Sequence, residues 1–195
     1  MTTVVALIVL AYLLGSVPTG YVLGKLAGID VRSAGSGNIG AANVARVVGN
    51  RQGALTLVAD AMKGFLPVLI AIQLELEPVA LAFTAIAAFL GHLYPLFLKF
   101  HGGKGVATAL GTLLAIAPVA TLVLLALFAL VAFSSRIVSL SAMVAAVAAP
   151  LVLWLLYQPP AIIGMGFFFA AVIVLRHRGN IKRLRAGTEP RFGEH

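Results

Sequence analysis

Residues 105–133 read GVATALGTLLAIAPVATLVLLALFALVAF, an uncharged run with a single proline, Pro118, near its middle. A helix needs about 20 apolar residues to cross ~30 Å of hydrocarbon, so this run is long for one span and short for two. Proline removes a helix hydrogen bond and marks where a division would fall. Five other apolar runs surround it, at 2–24, 54–73, 79–98, 137–157 and 160–175. Whether the chain crosses six times or seven therefore rests on this one stretch.

Charge decides between the two, because basic residues in short loops stay on the cytoplasmic side of a membrane. If 105–133 is two short spans, Lys25, Arg32, Arg46, Arg51, Lys99, Lys104, Arg136 and the six Lys and Arg from Arg176 to Arg191 share one side, 13 of the 14 basic residues. The other side receives the loop with Glu75 and Glu77, the turn at Pro118 and the turn Gln158-Pro159-Pro160. A single span would place Arg136 and the basic tail outside. The resulting expectation is an all-α integral membrane protein of about seven transmembrane helices, N-terminus out and C-terminus in. It is a single polytopic domain over 1–195, with cytoplasmic motif loops near 25–53, 99–105, 134–141 and 176–195.

Composition points the same way. Of 195 residues, 61% are hydrophobic and 10% charged, whereas a soluble domain carries about 25% charged residues. The first 24 residues hold no charged side chain, so the basic segment that precedes a cleavable signal peptide is missing and a retained first span is expected. Cysteine is absent, which removes disulfides and thiolate metal sites. A net charge of +8 fits nucleic acid, anionic lipid or anionic substrates; charges spread between membrane spans argue against nucleic acid. The fourteenth basic residue, Lys63, lies inside a span with Asp60 three residues before it, on the same helix face. A self-neutralising buried pair and a direct substrate role both fit, since intramembrane charges are costly and tied to function.

The first basic loop reads Ser33-Ala34-Gly35-Ser36-Gly37-Asn38-Ile39-Gly40-Ala41-Ala42-Asn43-Val44-Ala45-Arg46. Gly35, Gly37 and Gly40 permit positive φ and close backbone approach, while Ser36, Asn38, Asn43 and backbone amides supply donors for a phosphate or an oxyanion. A merely flexible turn is the plainer alternative. Arg46 at the end, and the lack of carboxylates between Arg32 and Arg51, favour an anion site. The second loop reads Lys99-Phe100-His101-Gly102-Gly103-Lys104-Gly105-Val106-Ala107-Thr108 and enters a helix. The amides of Gly102 and Gly103 and the Lys104 ammonium would converge where anions bind helix N-termini. It is not a nucleotide P-loop, because Leu98 holds the position of that motif's first glycine and Gly105 its Ser/Thr position. A tight turn with a lipid-facing lysine is the alternative.

His92 closes the preceding span as a packed, hydrogen-bonded residue. His177 lies between Arg176 and Arg178, with Asn180 following; like charge biases it toward the neutral form, suited to giving or taking one hydrogen bond. A basic stop-transfer segment binding lipid headgroups is the competing reading. Ser139 and Ser141, just after Arg136, either face the same site or bond back to their own helix. With only six carboxylates, no aspartate follows a histidine at the spacing used by thioester-dependent glycerolipid acyltransferases. No aspartate cluster is present to hold Mg²⁺. No metal and no cofactor are expected, and a strong general base is hard to find.

The segments around Gly35 to Arg46, Asp60 to Gly64, Gly91 to Gly111 and Arg176 to Glu189 resemble the acyl-phosphate-dependent glycerol-3-phosphate acyltransferase family of bacteria, over nearly the whole chain. Two departures stand out: Ala42 where threonine is common, and His101 where lysine or arginine is common. The resemblance implies acyl transfer from acyl phosphate to the 1-hydroxyl of glycerol 3-phosphate, the first acylation of phospholipid biosynthesis. It also implies a multi-pass protein of the bacterial plasma (inner) membrane, active on the cytoplasmic side. Ser36, Asn38, Lys104 and His177 are then the expected catalytic residues. Gly35, Gly37, Gly40, Asn43, Arg46, Gly102, Gly103, Ser141, Arg176 and Asn180 are the expected substrate ligands. The partners are the two substrates and membrane lipid, with no nucleic acid and no obligate protein partner. Two rival readings remain: an anion transporter, which would carry polar residues through to the outer side, and a headgroup-binding structural protein, which would not need the glycines.

The topology is directly testable in a chain without natural cysteines. Single cysteines at Ala34, His101 and Gly179 should resist an impermeant thiol reagent in intact cells and react in inverted vesicles. Labelling of any one from outside would overturn the seven-span arrangement.

Overall fold

In lipid, a helix is the simplest way for a segment to satisfy every one of its own N–H and C=O groups, so apolar runs of this length are expected to coil. The structure, a computed structural model describing residues 1–193, is helical throughout, with no strand among the described residues. Glu194 and His195, the end of the expected tail loop, lie outside the described residues. The chain packs as two compact units, the first Met1–Ile116 and the second from Ala117 to the end.

The first unit holds α1 (Thr2–Gly15), α2 (Thr19–Leu26), the short α3 (Ala41–Val47), α4 (Asn50–Gln73), α5 (Pro78–Leu93), a 3₁₀ turn (Leu96–Leu98) and α6 (Val106–Ile116). The second holds α7 (Pro118–Ser135), α8 (Val138–Leu155), α9 (Pro160–Arg176) and α10 (Arg178–Arg185). Among the described residues, five segments are long and apolar enough to cross a membrane: Thr2–Leu26, Asn50–Gln73, Pro78–Leu98, Pro118–Ser135 and Val138–Leu155. A sixth arises if α9 and α10, bent by 58°, are taken together. The run 105–133 divides at the proline: α6 ends at Ile116, and Pro118 opens α7, where its missing N–H leaves no bond unmade. At 11 residues, α6 rises only about 16 Å. By length alone, therefore, five or six segments rather than seven reach the size of a span.

Small residues set the packing of the first unit. Gly64 of α4 rests on the Thr108 carbonyl of α6, and Gly111 of α6 rests on the Ala61 carbonyl of α4. The same reciprocity joins α1 and α5, where Gly15 meets the Ala88 carbonyl and Gly91 the Tyr12 carbonyl. At all four a β-carbon would overlap backbone atoms. The Tyr12 hydroxyl adds a 2.7 Å hydrogen bond to the Tyr94 carbonyl just past α5. In the second unit, Gly166 of α9 fits against Leu153 and Pro150 of α8, with Ile162, Met165 and Phe169 buried beside it. The tail turns back on its own unit, where the Phe192 amide donates to the Arg136 carbonyl at 2.9 Å.

Two glycines should respond in opposite directions. Gly111→Val places carbon on the α4 backbone and should cost about 1–3 kcal/mol or more. Gly164, in α9 with nothing within 4 Å of the β-carbon position, should accept alanine with a gain of about 0.5–1 kcal/mol. Thermal unfolding of the two purified variants checks this, and equal midpoints would contradict the packing described.

Candidate active site

The first loop is shaped by its own side chains. Asn43, on the first turn of α3 and 2% exposed, accepts the Ser36 amide at 2.8 Å. Its amide donates to the carbonyls of Val31 at 3.0 Å, Ala34 at 3.1 Å and Asn38 at 2.8 Å. Asn43 was expected to contact substrate; in the structure its side-chain oxygen and amide bond to the loop's own backbone and brace it. Asn38 Oδ1 accepts the Gly40 amide at 2.7 Å. Gly35 and Gly37 take left-handed conformations, φ +60° and +70°, as the sequence suggested. Gly40 does not: it has φ −77° and opens α3 from an extended conformation. With the interior so filled, Ser36 and Arg46 are left exposed and Asn38 half-buried.

Upstream, Asp30 takes up much of the loop's positive charge. It accepts from Arg32 Nε at 2.9 Å and Nη2 at 2.7 Å and pairs with Lys25 at 3.2 Å, while the Arg32 guanidinium stacks 4.5 Å from the Tyr21 ring centroid. The Arg32 hydrogen bonds hold the Asp30 carboxyl well below the usual carboxylate range.

The second loop departs from the end of α5. Its Gly102 and Gly103 amides donate to the Leu93 and His92 carbonyls, both at 3.1 Å. They were expected to face an anion; they form the foot of the loop instead, satisfying carbonyls at the α5 terminus. The glycines are needed for clearance, since a β-carbon at Gly102 would strike the His92 carbonyl and one at Gly103 the His92 ring. Gly105, at φ +84° against Phe89 and Leu93, turns the chain into α6. Lys104 stands half-buried just before the first turn of that helix. His101 is exposed and donates from Nδ1 back to the Lys99 carbonyl at 2.7 Å.

In the second unit the motif residues sit around the α9–α10 bend. His177 is 3% exposed and Asn180 6%. His177 Nδ1 lies 2.8 Å from the Ile173 carbonyl; a carbonyl can only accept, so Nδ1 carries the proton. Ser141 bonds back to the Ile137 carbonyl at 2.9 Å, and Arg176 is half-buried in the last turn of α9. The residue that sequence reasoning missed is Glu189. Its carboxylate accepts from Ser139 at 2.6 Å, from Asn180 and from Arg183 Nε at 2.7 Å, tying the tail to α8 and α10. Glu189 closes the last of the segments that carry the family resemblance, as a carboxylate amid basic residues, but no role was assigned to it. Among the described residues no group of three or more His, Asp or Glu side chains is placed to hold a metal ion.

Apolar helices joined by basic, glycine-rich loops define an integral membrane protein with loops suited to anions. The chain belongs to the glycerol-3-phosphate acyltransferase family, whose model matches residues 5–187. A glycerol-3-phosphate acyltransferase of Geotalea daltonii is 50% identical over 192 residues, 98% of this chain and 99% of that one. Crystal structures of PlsY (YgiH), an integral membrane glycerol 3-phosphate acyltransferase, are similar throughout. The glycerol 3-phosphate form gives a TM-score of 0.95 and the lysophosphatidic acid form 0.92, each at 42% identity and covering 98% of this chain and 96% of that one.

Glu189 carries a pH dependence. Burial pushes its carboxyl up, but the hydrogen bonds from Ser139, Asn180 and Arg183 together outweigh burial and hold it below its ordinary value of 4.5. A depressed folded pKa contributes stability that is complete above the unfolded value and is lost as pH falls through the folded one. The stability deficit of Glu189→Gln should therefore stay constant from neutral pH to about 4.5 and shrink below it. Thermal unfolding across this range is the measurement, and a deficit that grows on acidification would contradict the assignment.

Proposed function

We propose that this protein transfers a fatty acyl group from acyl phosphate to the 1-hydroxyl of sn-glycerol 3-phosphate, giving lysophosphatidate and phosphate. It acts at the cytoplasmic face of the bacterial inner membrane, with about seven spans and every motif loop on that face. The observation that carries the reading is the division of labour in the loops. Asn43 and the Gly102 and Gly103 amides are used to hold shape, which leaves Ser36 and Arg46 exposed and Lys104 at the head of α6. Family membership supports glycerol 3-phosphate as acceptor. The shortage of carboxylates supports a donor that is already activated.

Both substrates are phosphate anions. In the first unit Arg46 and Lys104, the latter with the first-turn amides of α6, are assigned to phosphate binding, and in the second unit Asn180 is. Ser36 and Asn38 serve the reacting carbonyl, where one oriented oxyanion donor is worth roughly 3–4 kcal/mol. In the second unit His177, whose Nδ1 donates to the Ile173 carbonyl, is assigned to hold or polarise the glycerol moiety, with Ser141 and Arg176 as further candidates. The glycerol oxygen bonds to the acyl carbon, the bond from that carbon to the phosphate oxygen breaks, and the departing phosphate takes the hydroxyl proton. Orientation of two bound reactants contributes ~7–11 kcal/mol, so a mixed anhydride needs no dedicated strong base.

Purified protein should release phosphate from palmitoyl phosphate only when glycerol 3-phosphate is present, should not use palmitoyl-CoA and should be indifferent to EDTA. Lys104→Ala should lower the rate by about two orders of magnitude, corresponding to ~3 kcal/mol, and His177→Ala should be comparably damaging. Lys182→Ala and Arg185→Ala, at exposed positions, should be nearly silent. Comparable rates with palmitoyl-CoA, or equal losses at all four positions, would refute the proposal.

A further inference from the structure

One polar cluster lies buried among the helices of the first unit, outside both loops. On α4, Lys63 Nζ lies 2.9 Å from Asp60 Oδ1, with the side chains only 5% and 3% exposed. Lys63 also donates a 3.0 Å hydrogen bond to the Val17 carbonyl, and Asp60 Oδ1 faces His92 Nδ1 at 3.7 Å. Burying such a pair is costly, and a pair of apolar side chains would fill the same space as well. What apolar side chains would not supply is the pair's two outward connections.

Those connections lead to different loops. Val17 sits in the break between α1 and α2, where Pro18 brings no N–H to continue the helix. Three residues on, Gly20 of α2 lies directly on the Ile39 carbonyl, between Asn38 and Gly40 of the first loop. His92 carries the second loop: its carbonyl accepts the Gly103 amide, and its ring lies where a Gly103 β-carbon would be. Lys63 therefore holds the support of the Ser36 loop, and Asp60 faces the support of the Lys104 loop. They do so from adjacent turns of one helix.

We propose that Asp60 and Lys63 form a positioning pair shared by both substrate loops, acting through Val17 on one side and His92 on the other, so that one buried ion pair sets the two loops in register. The inference rests on the assignment of those loops to the substrates. Neither residue touches substrate. Because the pair serves both loops, its loss changes the use of both substrates together.

The test uses the full chain, phosphate release from palmitoyl phosphate, and separate titrations of the two substrates. The charge-free double variant Asp60→Asn/Lys63→Met keeps the volume and removes the cost of an orphaned charge. It should fold with a melting temperature near that of the parent, yet lose about tenfold to hundredfold in kcat/KM for both substrates, the scale of a displaced catalytic frame. Parental kinetics in the folded double variant, or a change confined to one substrate, would overturn the shared role. If the double variant fails to fold, His92 decides: His92→Leu should lose a similar factor and His92→Gln should recover part of it. His92→Leu within about twofold of the parent would overturn the proposal. Lys104→Ala, measured alongside, separates the two layers. Full activity there removes the loop assignment itself, whereas an inactive Lys104→Ala beside normal pair variants removes only the shared positioning.

Discussion

Lipid tails are as apolar as the side chains facing them, so helices in a bilayer are held together by the contacts they make and not by escape from water. In the first unit those contacts are glycine against carbonyl, made twice in reciprocal form: Gly64 with Thr108 and Gly111 with Ala61, Gly15 with Ala88 and Gly91 with Tyr12. Contact at this range leaves no freedom of register. Thr108, in the first turn of α6, is fixed on α4, and Lys104 lies just before that helix, joined to it through Gly105. The α1–α5 contact likewise fixes the end of α5, from which the second loop departs. Glycine-rich loops are normally loose. Here they spring from helix ends whose positions the packing has already decided.

Rigidity within the loops comes from polar groups that bond to the chain's own backbone and side chains. A single buried asparagine, Asn43, makes four hydrogen bonds to loop backbone, each worth about 1 kcal/mol net, so the segment 31–43 behaves as a folded element. Glu189 does the same work in the second unit by gathering Ser139, Asn180 and Arg183. Substrate-facing groups gain from this because a donor held in place loses no freedom on binding and needs no reorganisation during reaction. Polar residues near a site thus fall into two populations, and residue type alone does not separate them.

That is where the sequence is legible and where it stops. The apolar runs, the helix division at Pro118, the pairing of Asp60 with Lys63 and the left-handed Gly35 and Gly37 follow from local chemistry and were read from the sequence alone. The roles of Asn43, Gly102 and Gly103 were not, because an asparagine or a glycine amide in a loop looks the same whether it points inward or outward. The break between α1 and α2 carries a local signal in Pro18, inside a run read as one apolar span; the use made of it, the Val17 carbonyl accepting from Lys63 46 residues further on, does not show in the sequence. Glu189 was invisible for the same reason, since its meaning depends on Ser139, 50 residues away. The 11 residues of α6 show that composition identifies an apolar helix more readily than it identifies a full span.

The fate of the carboxylates bears most directly on chemistry. Asp30 is held by Arg32 and Lys25, Asp60 by Lys63 and Glu189 by Ser139, Asn180 and Arg183. Glu75 and Glu77 lie in the turn between α4 and α5. Near the loops, then, the carboxylates Asp30, Asp60 and Glu189 are each matched by partners within the protein, and the loops carry Arg46 and Lys104 besides. A reaction between two phosphate-bearing molecules must overcome their mutual repulsion, and a carboxylate general base would add a third anion where charges of like sign are already close. With a mixed anhydride as donor, as proposed, the base could be dispensed with, because the leaving phosphate would accept the proton that the attacking hydroxyl gives up. A basic, carboxylate-neutralised loop pair and an activated phosphate donor are therefore complementary: each makes the other chemically sufficient.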